Sequence, residues 1–262
     1  MAFEAFWRSP RGKLSKRGMR NIKLTIEYDG TGYHGWQIQP NVETIQGTME
    51  GKLAQITGEP VRLVASGRTD TGVHAVGQVA HFKTHSFLDV LTFLKAVNSL
   101  LPEDIRVKDV EEVDEAFHAR FSAKGRVYEY RIFNGELPSP FHRHFSWFVP
   151  GNLDLASMRE AGMKLVGRHD FSSFCSAGSD QSCPIREVYA IDAGMREDLI
   201  IVQVEANAFL RQMVRNIVGS LVEVGRRKLT PSQFGGILEA RDRRRAGLAA
   251  PAQGLFLVRV NY

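Results

Sequence analysis

The sequence predicts an α+β protein of two ferredoxin-like halves, and three observations carry that expectation. Strand-period and helix-period segments follow one another in the order βαββαβ, the ferredoxin-like unit. The same order then repeats, so two halves with antiparallel sheets, joined edge to edge around a central cleft, account for the chain. The third is size: 262 residues, 43% of them hydrophobic, suffice for one large domain or two smaller ones.

In the first unit, Ile22, Leu24, Ile26 and Tyr28 alternate with Asn21, Lys23, Thr25 and Glu27, the pattern of a half-buried strand. Thr44 opens a helix whose apolar face is Ile45, Met49, Leu53 and Ile56. Residues 61–65 and 78–83 read as strands, 87–101 as an apolar helix stopped by Pro102, and 105–110 as a further strand. In the second unit, residues 127–133 read as a strand. A helix over 154–166 follows, with Leu155, Met158, Ala161 and Leu165 on one side. Strands over 188–193 and 199–206 flank a hairpin-like link. A long helix then presents Leu210, Met213, Val214, Ile217, Val218, Leu221 and Val224. Thr230-Pro231 caps a short helix, and residues 255–260 close as a strand. The expected division is a basic extension over 1–20, a first half over 21–122 and a second over 123–262.

Charge narrows the function classes. The net charge is +5, and basic residues gather at 8–23, 226–228 and 241–245. Such patches suit a polyanion such as nucleic acid, and equally a solvated face. No apolar run approaches the roughly 20 residues that cross a bilayer, so no membrane partner is expected. The first twenty residues lack the apolar stretch of a secretory signal. Cys175 and Cys183 have no metal-site spacing and read as reduced thiols, consistent with a cytoplasmic protein. His142-Arg143-His144 reads as an exposed basic stretch, and no metal site is expected.

The most informative segment is Ser66-Gly67-Arg68-Thr69-Asp70-Thr71-Gly72. It holds one carboxylate, Asp70, and one guanidinium, Arg68, between glycines that permit tight turns and close approach. Such a loop suits a carboxylate aimed at a partner, or an Asx-type turn that uses the side chain locally. These residues alone leave both readings open. Gly30-Thr31-Gly32-Tyr33-His34-Gly35 matches G-x-G-x-x-G after a strand. A dinucleotide site needs a helix to start inside that loop, whereas Pro40 and Asn41 intervene before Thr44. No nucleotide cofactor is expected.

Phe117-His118-Ala119-Arg120-Phe121 interleaves aromatic and basic groups ahead of Lys124, Arg126, Tyr128 and Tyr130. Unstacked RNA bases and phosphates call for such neighbours. Tyr128 and Tyr130 share one face of a strand, as a base platform or as core. Arg215 lies in the apolar run Met213–Gly219, where it snorkels outward or pairs with a carboxylate. Asp70 is the obvious partner if the halves face each other.

Together these segments closely resemble the TruA family of tRNA pseudouridine synthases. The matching runs are EYDGTGYHGWQ (27–37), GRTDTGVHA (67–75), GQVAHF (77–82), NSLLPEDI (98–105) and FHAR (117–120). They continue through residues 124–130, HDFSSF (169–174), MVRNIVG (213–219) and APAQGLFL (250–257), colinear along nearly everything after residue 21. Thr71 stands where the family usually has alanine, and Ala249 where threonine often precedes APA. The resemblance implies the pseudouridine synthase fold and isomerisation of uridine at positions 38, 39 and 40 of the tRNA anticodon arm. It also implies a cytoplasmic homodimer that holds tRNA across both subunits, without cofactor or metal.

Residue by residue, the resemblance places the catalytic aspartate at Asp70. Tyr128 corresponds to the tyrosine that packs on the target base and assists proton removal from C5. Arg215 corresponds to the basic residue that pairs with the aspartate. Arg68 corresponds to the arginine that enters the RNA stem and helps extrude the nucleotide, a step required because a stacked base hides C1′ and N1. Leu255 and Leu257 are expected to wall the pocket. The alternative is a non-catalytic RNA-binding protein on the same scaffold, which would leave Asp70 idle. A nucleotide-dependent oxidoreductase is the third reading.

Overall fold

The computed structural model describes residues 18–176 and 183–262, so most of the expected basic extension lies outside the described residues. Strand β1 (Arg20–Tyr28) alternates buried and half-buried positions from Ile22 onward, while Asn21 is buried as well, its Nδ2 donating to the Asp114 and Phe117 carbonyls. Helix α1 (Ile45–Thr57) starts where the Thr44 side chain accepts from the Gly47 N–H, and it stops at left-handed Gly58. Then come β2 (Val64–Ala65), β3 (His74–Thr84), α2 (Val90–Leu100) and β4 (Ile105–Val113). The second unit begins with β5 (Gly125–Phe133), β6 (Trp147–Phe148), α3 (Leu155–Met163) and β7 (Gly167–Asp170). It continues through β8 (Ile185–Arg196), β9 (Leu199–Ala206), α4 (Met213–Gly225), α5 (Pro231–Ala240) and β10 (Leu255–Asn261). Thr230, Pro231 and Gln233 make a complete capping box at the start of α5.

One sheet runs β4-β1-β3-β10-β5-β9-β8-β7, with β2 on β3 and β6 on β5. Each unit keeps the ferredoxin-like order of fourth, first, third and second strand: β4-β1-β3-β2 and β10-β5-β9-β8. The halves join edge to edge where β10 pairs in parallel with β3, through Phe256–His74 and Leu257–Ala75. Strand β10 is also antiparallel to β5, with Leu257 opposite Tyr128. Cross-strand partners share a face. Tyr28, Ala75, Leu257 and Tyr128 therefore form one row across the seam between the halves.

Several boundaries differ from the sequence reading, each for a local reason. The strand expected over 61–65 shrinks to two residues. Leu63 donates its N–H to Glu50 and accepts from Gln46 through its carbonyl, so α1 takes the groups a ladder would use. The 78–83 strand begins four residues earlier, because Ala75 still pairs with both Tyr28 and Leu257. The 87–101 helix starts only at Val90, where the Asp89 carboxylate accepts from Leu91 and Thr92. Helix α3 ends at Met163 instead of 166, and β7 follows. Neither β6 nor β7 was expected: one is two residues long, and the other, Gly-Arg-His-Asp, has no apolar alternation.

Candidate active site

Asp70 stands in the loop between β2 and β3, and the glycine-rich segment after β1 forms its bed. The Trp36 N–H donates to the Thr69 carbonyl at 3.1 Å, and the Gly72 N–H to the Tyr33 carbonyl at 3.4 Å. Gly35 has φ +84°, and a Cβ there would lie 2.7 Å from the Thr69 carbonyl oxygen. Only glycine lets the two segments approach so closely in that conformation. The loop closes on itself through Val73 N–H to the Asp70 carbonyl at 3.1 Å. Among the described residues the Asp70 carboxylate accepts no Asx-turn hydrogen bond, and its partner is Arg215, with Nη1 3.6 Å from Oδ2. Asp70 remains 34% exposed and Arg215 15%.

Arg215 is the third residue of α4 and is aimed by its own helix's neighbours. Its Nε donates to the Ala250 carbonyl at 2.7 Å, while Ala250 N–H donates back to the Arg215 carbonyl at 3.0 Å. Segment 248–250 lies so close to α4 that a Cβ at Gly219 would overlap the Leu248 carbonyl. The guanidinium is thus held from behind and faces Asp70 with one remaining edge. Tyr128 enters from β5, only 9% exposed, with Phe209 edge-on at 4.9 Å between ring centres. Burial pushes its phenol pKa up, with smaller contributions from Tyr28 and from the Asp70 charge. Tyr128 is therefore a neutral phenol at physiological pH. At the other end of the same row, Tyr28 shares a 2.8 Å hydrogen bond with Thr69 and is pushed up to about 12, chiefly by burial. A carboxylate and a guanidinium from opposite halves thus meet, and the Tyr128 phenol on the seam feels the charge of that carboxylate.

A family model described as tRNA pseudouridine synthase matches residues 24–122 and 161–262. Curated relatives named tRNA pseudouridine synthase A agree along the chain. The one from Ruminiclostridium cellulolyticum is 47% identical over 245 residues, covering 93% of this chain and all of the relative. Those from Acetivibrio thermocellus and Thermoanaerobacter sp. are 46% and 43% identical over 244 residues, with the same coverage. The chain belongs to the TruA family of tRNA pseudouridine synthases.

Within this family member the other expected site residues fall into distinct settings. Arg68 is exposed and makes no hydrogen bond or ion pair among the described residues, so its side chain is available to a substrate. Leu255 is nearly buried opposite Tyr130, and Leu257 is wholly enclosed opposite Tyr128. Tyr130 is core: its hydroxyl donates to the Pro251 carbonyl at 2.7 Å, and Gly254 leaves room for its ring. Phe121 is 77% exposed with the Arg120 guanidinium 5.5 Å from its ring centre, matching the expected aromatic and basic surface. Arg126 departs from that expectation. It is buried, and both of its Nη atoms donate to backbone carbonyls.

The basic patches are also less bare than the sequence suggests. Arg20 and Lys23 pair with Glu112 and Glu111, Arg226 and Lys228 with Glu223, and Arg227 with Asp154. Arg241 and Arg244 meet Asp170 and Asp242. The sequence reading missed the supporting shell: Trp36 and Gly35 under the loop, Phe209 against Tyr128, and Ala250 behind Arg215. The glycine-rich run after β1 was the available signal for the first pair, since its glycines serve the loop.

Proposed function

We propose that this tRNA pseudouridine synthase isomerises uridine at positions 38, 39 and 40 of the anticodon arm, with Asp70 acting at the sugar. The reaction breaks N1–C1′, turns the uracil within the site and joins C5 to C1′. C5 gives up its proton and N1 gains one, so nothing is oxidised and no atom is added. The anomeric carbon becomes electron-poor as N1 leaves, and a carboxylate suits that centre as it does in glycoside hydrolysis. Asp70 either bonds to C1′ or takes the C2′ proton.

In this reading Arg215 opposes the Asp70 charge and holds its direction. Tyr128 supplies the face on which the extruded base packs, and its hydroxyl takes part in moving the C5 proton. Arg68 enters the stem in place of the extruded nucleotide, with Leu255 and Leu257 walling the pocket. The enzyme works in the cytoplasm as a homodimer, with one tRNA across both subunits. Among the described residues no helix is long and apolar enough to cross a membrane. The observation that carries the proposal is the pairing of Asp70 with Arg215 across the seam between the halves.

Asp70→Asn tests it directly. The amide is nearly isosteric, so the loop and the tRNA affinity should survive, yet it can neither attack carbon nor take a proton. Release of tritium from C5-labelled uridine in tRNA should be abolished. Turnover above a trace of the wild-type rate would remove Asp70 from the chemistry.

A further inference from the structure

We propose that Arg126 is a positioning residue for this reaction: its guanidinium ties the Asp70 loop to the second half and so sets where Asp70 stands. The inference rests on the reading of Asp70 as the acting carboxylate. Arg126 lies on β5 two residues before Tyr128, on the same face. Its Nη2 donates to the Ser66 and Arg120 carbonyls, each at 2.9 Å. Its Nη1 donates to the Asn207 carbonyl at 2.8 Å and more weakly to Ala123 at 3.4 Å. Ser66 opens the loop that carries Arg68 and Asp70. Asn207 opens the connector that carries Phe209 and leads into α4 with Arg215. One planar group therefore spans the loop of the first half and the segment that delivers the Asp70 partner.

The chemistry of the clamp is unusual for a merely structural position. Arg126 is only 9% exposed, and among the described residues no carboxylate pairs with it. A buried cation without a counter-charge is costly, and a well-packed apolar side chain would fill the same space more cheaply. Only carbonyl dipoles compensate here, and they do so only while three separate segments stay in place. Gln78 holds the next stretch of the loop. Its Nε2 donates to the Gly67 carbonyl at 2.9 Å, and its Oε1 accepts from the Ser66 hydroxyl at 2.7 Å. Both carbonyls ahead of Arg68 are thus fixed from side chains. Lysine substitutes only in part, since one ammonium lacks the planar fork that reaches divergent acceptors.

The test compares Arg126→Lys, Arg126→Met and Asp70→Asn as purified full-length proteins on unmodified tRNA transcript. Fold is checked by circular dichroism at the assay temperature. Displacing a reacting group by about 1 Å costs about 100-fold in rate. On that scale kcat should fall about 100-fold for Met and about tenfold for Lys, with tRNA Kd within about threefold. A purely structural role would lower Tm and leave kcat of the folded enzyme at the wild-type value. Folded variants with kcat within about twofold of wild type, beside an inactive Asp70→Asn, would overturn the assignment. Failure of both Arg126 variants to fold would overturn it in favour of a structural group. An active Asp70→Asn would instead overturn the reading of Asp70 on which the inference rests.

Discussion

Replacing Gly35 by alanine should disable the enzyme without touching a single group that meets the substrate. Gly35 sits at φ +84°, where an L side chain costs about 1–2 kcal/mol. Its Cβ would also lie 2.7 Å from the Thr69 oxygen and 3.1 Å from both the Asp70 carbonyl carbon and the Thr71 nitrogen. All three are backbone atoms, so no side chain can swing away to make room. An ordinary carbon–oxygen contact is about 3.3–3.6 Å, so the loop must retreat by roughly 0.6–0.9 Å. Strain and retreat together should cost about 2–4 kcal/mol of stability, read as a Tm lower by roughly 5–15 °C. A retreat approaching 1 Å should lower the single-turnover rate by about 10–100-fold at a temperature where the variant is folded. Gly32→Ala is the control, because nothing lies within 4 Å of a Cβ there and its φ is not in the left-handed region. A Gly35→Ala enzyme with wild-type rate, or a Gly32→Ala enzyme equally impaired, would refute the claim that this segment is the bed of the loop.

Three further outcomes follow from the same geometry. Tyr128→Phe should keep tRNA affinity and lose about 100-fold in rate, the low end of an acid–base contribution, while Tyr128→Leu should also weaken binding; near-normal rates for both would leave Tyr128 a core residue. Arg68→Ala should hurt turnover more on a paired target uridine than on an unpaired one in the same arm, because less stacking has to be broken in the second; equal losses on both would refute the wedge. Thermal stability should fall on both sides of neutrality. His74 and His81 have pKa values lowered chiefly by burial, so below about pH 6.5 the unfolded chain binds protons that the folded one refuses. At the alkaline end, burial raises Tyr28, Tyr128 and Tyr130, so above about pH 10 the unfolded chain releases protons that the folded one keeps. A Tm that rises as the pH drops from 7 to about 5 would contradict the acid limb.

Much of this was legible in the residues, for identifiable reasons. Strand β1 and helix α1 announce themselves because one face is buried and the other is not, and α4 because its apolar residues recur at helical spacing, although the helix is enclosed nearly all round. The Asp70–Arg215 pair was legible because an arginine inside an apolar helix needs a partner, and the chain offered one isolated carboxylate in a glycine-flanked loop. Local composition misled where tertiary contacts spent a group differently. Arg126 reads like its exposed neighbours Arg120 and Lys124, and nothing in its flanking residues says that the distant Ser66 and Asn207 carbonyls converge on it beside the nearby ones of Arg120 and Ala123. Gly30 and Gly35 match a phosphate-loop pattern that the sequence itself argues against, but the pattern does not reveal that they serve close backbone contact: a Cβ on Gly30 would overlap the Val73 carbonyl. Pattern reports a residue's periodicity. It does not report which distant backbone will lie against it.

The seam explains why the site depends on such contacts. Asp70 and Arg68 belong to the first half, while Tyr128 and Arg215 belong to the second. The sheet joins the halves through only two parallel register pairs between β3 and β10. Two parallel pairs are a weak joint, because parallel ladders are slightly less stable per residue than antiparallel ones. Side chains that cross the seam add to the alignment of the groups. Arg126 reaches from β5 to Ser66, and Arg215 from α4 to Asp70. Both are arginines, whose planar forks impose direction as well as attraction. The last strand, β10, carries Leu257 into the row between Ala75 and Tyr128, so the apolar contact that completes the seam is made only when the end of the chain is in place. A reaction that needs positioned groups and a turning base, and no added reagent, draws on that enforced alignment for its rate.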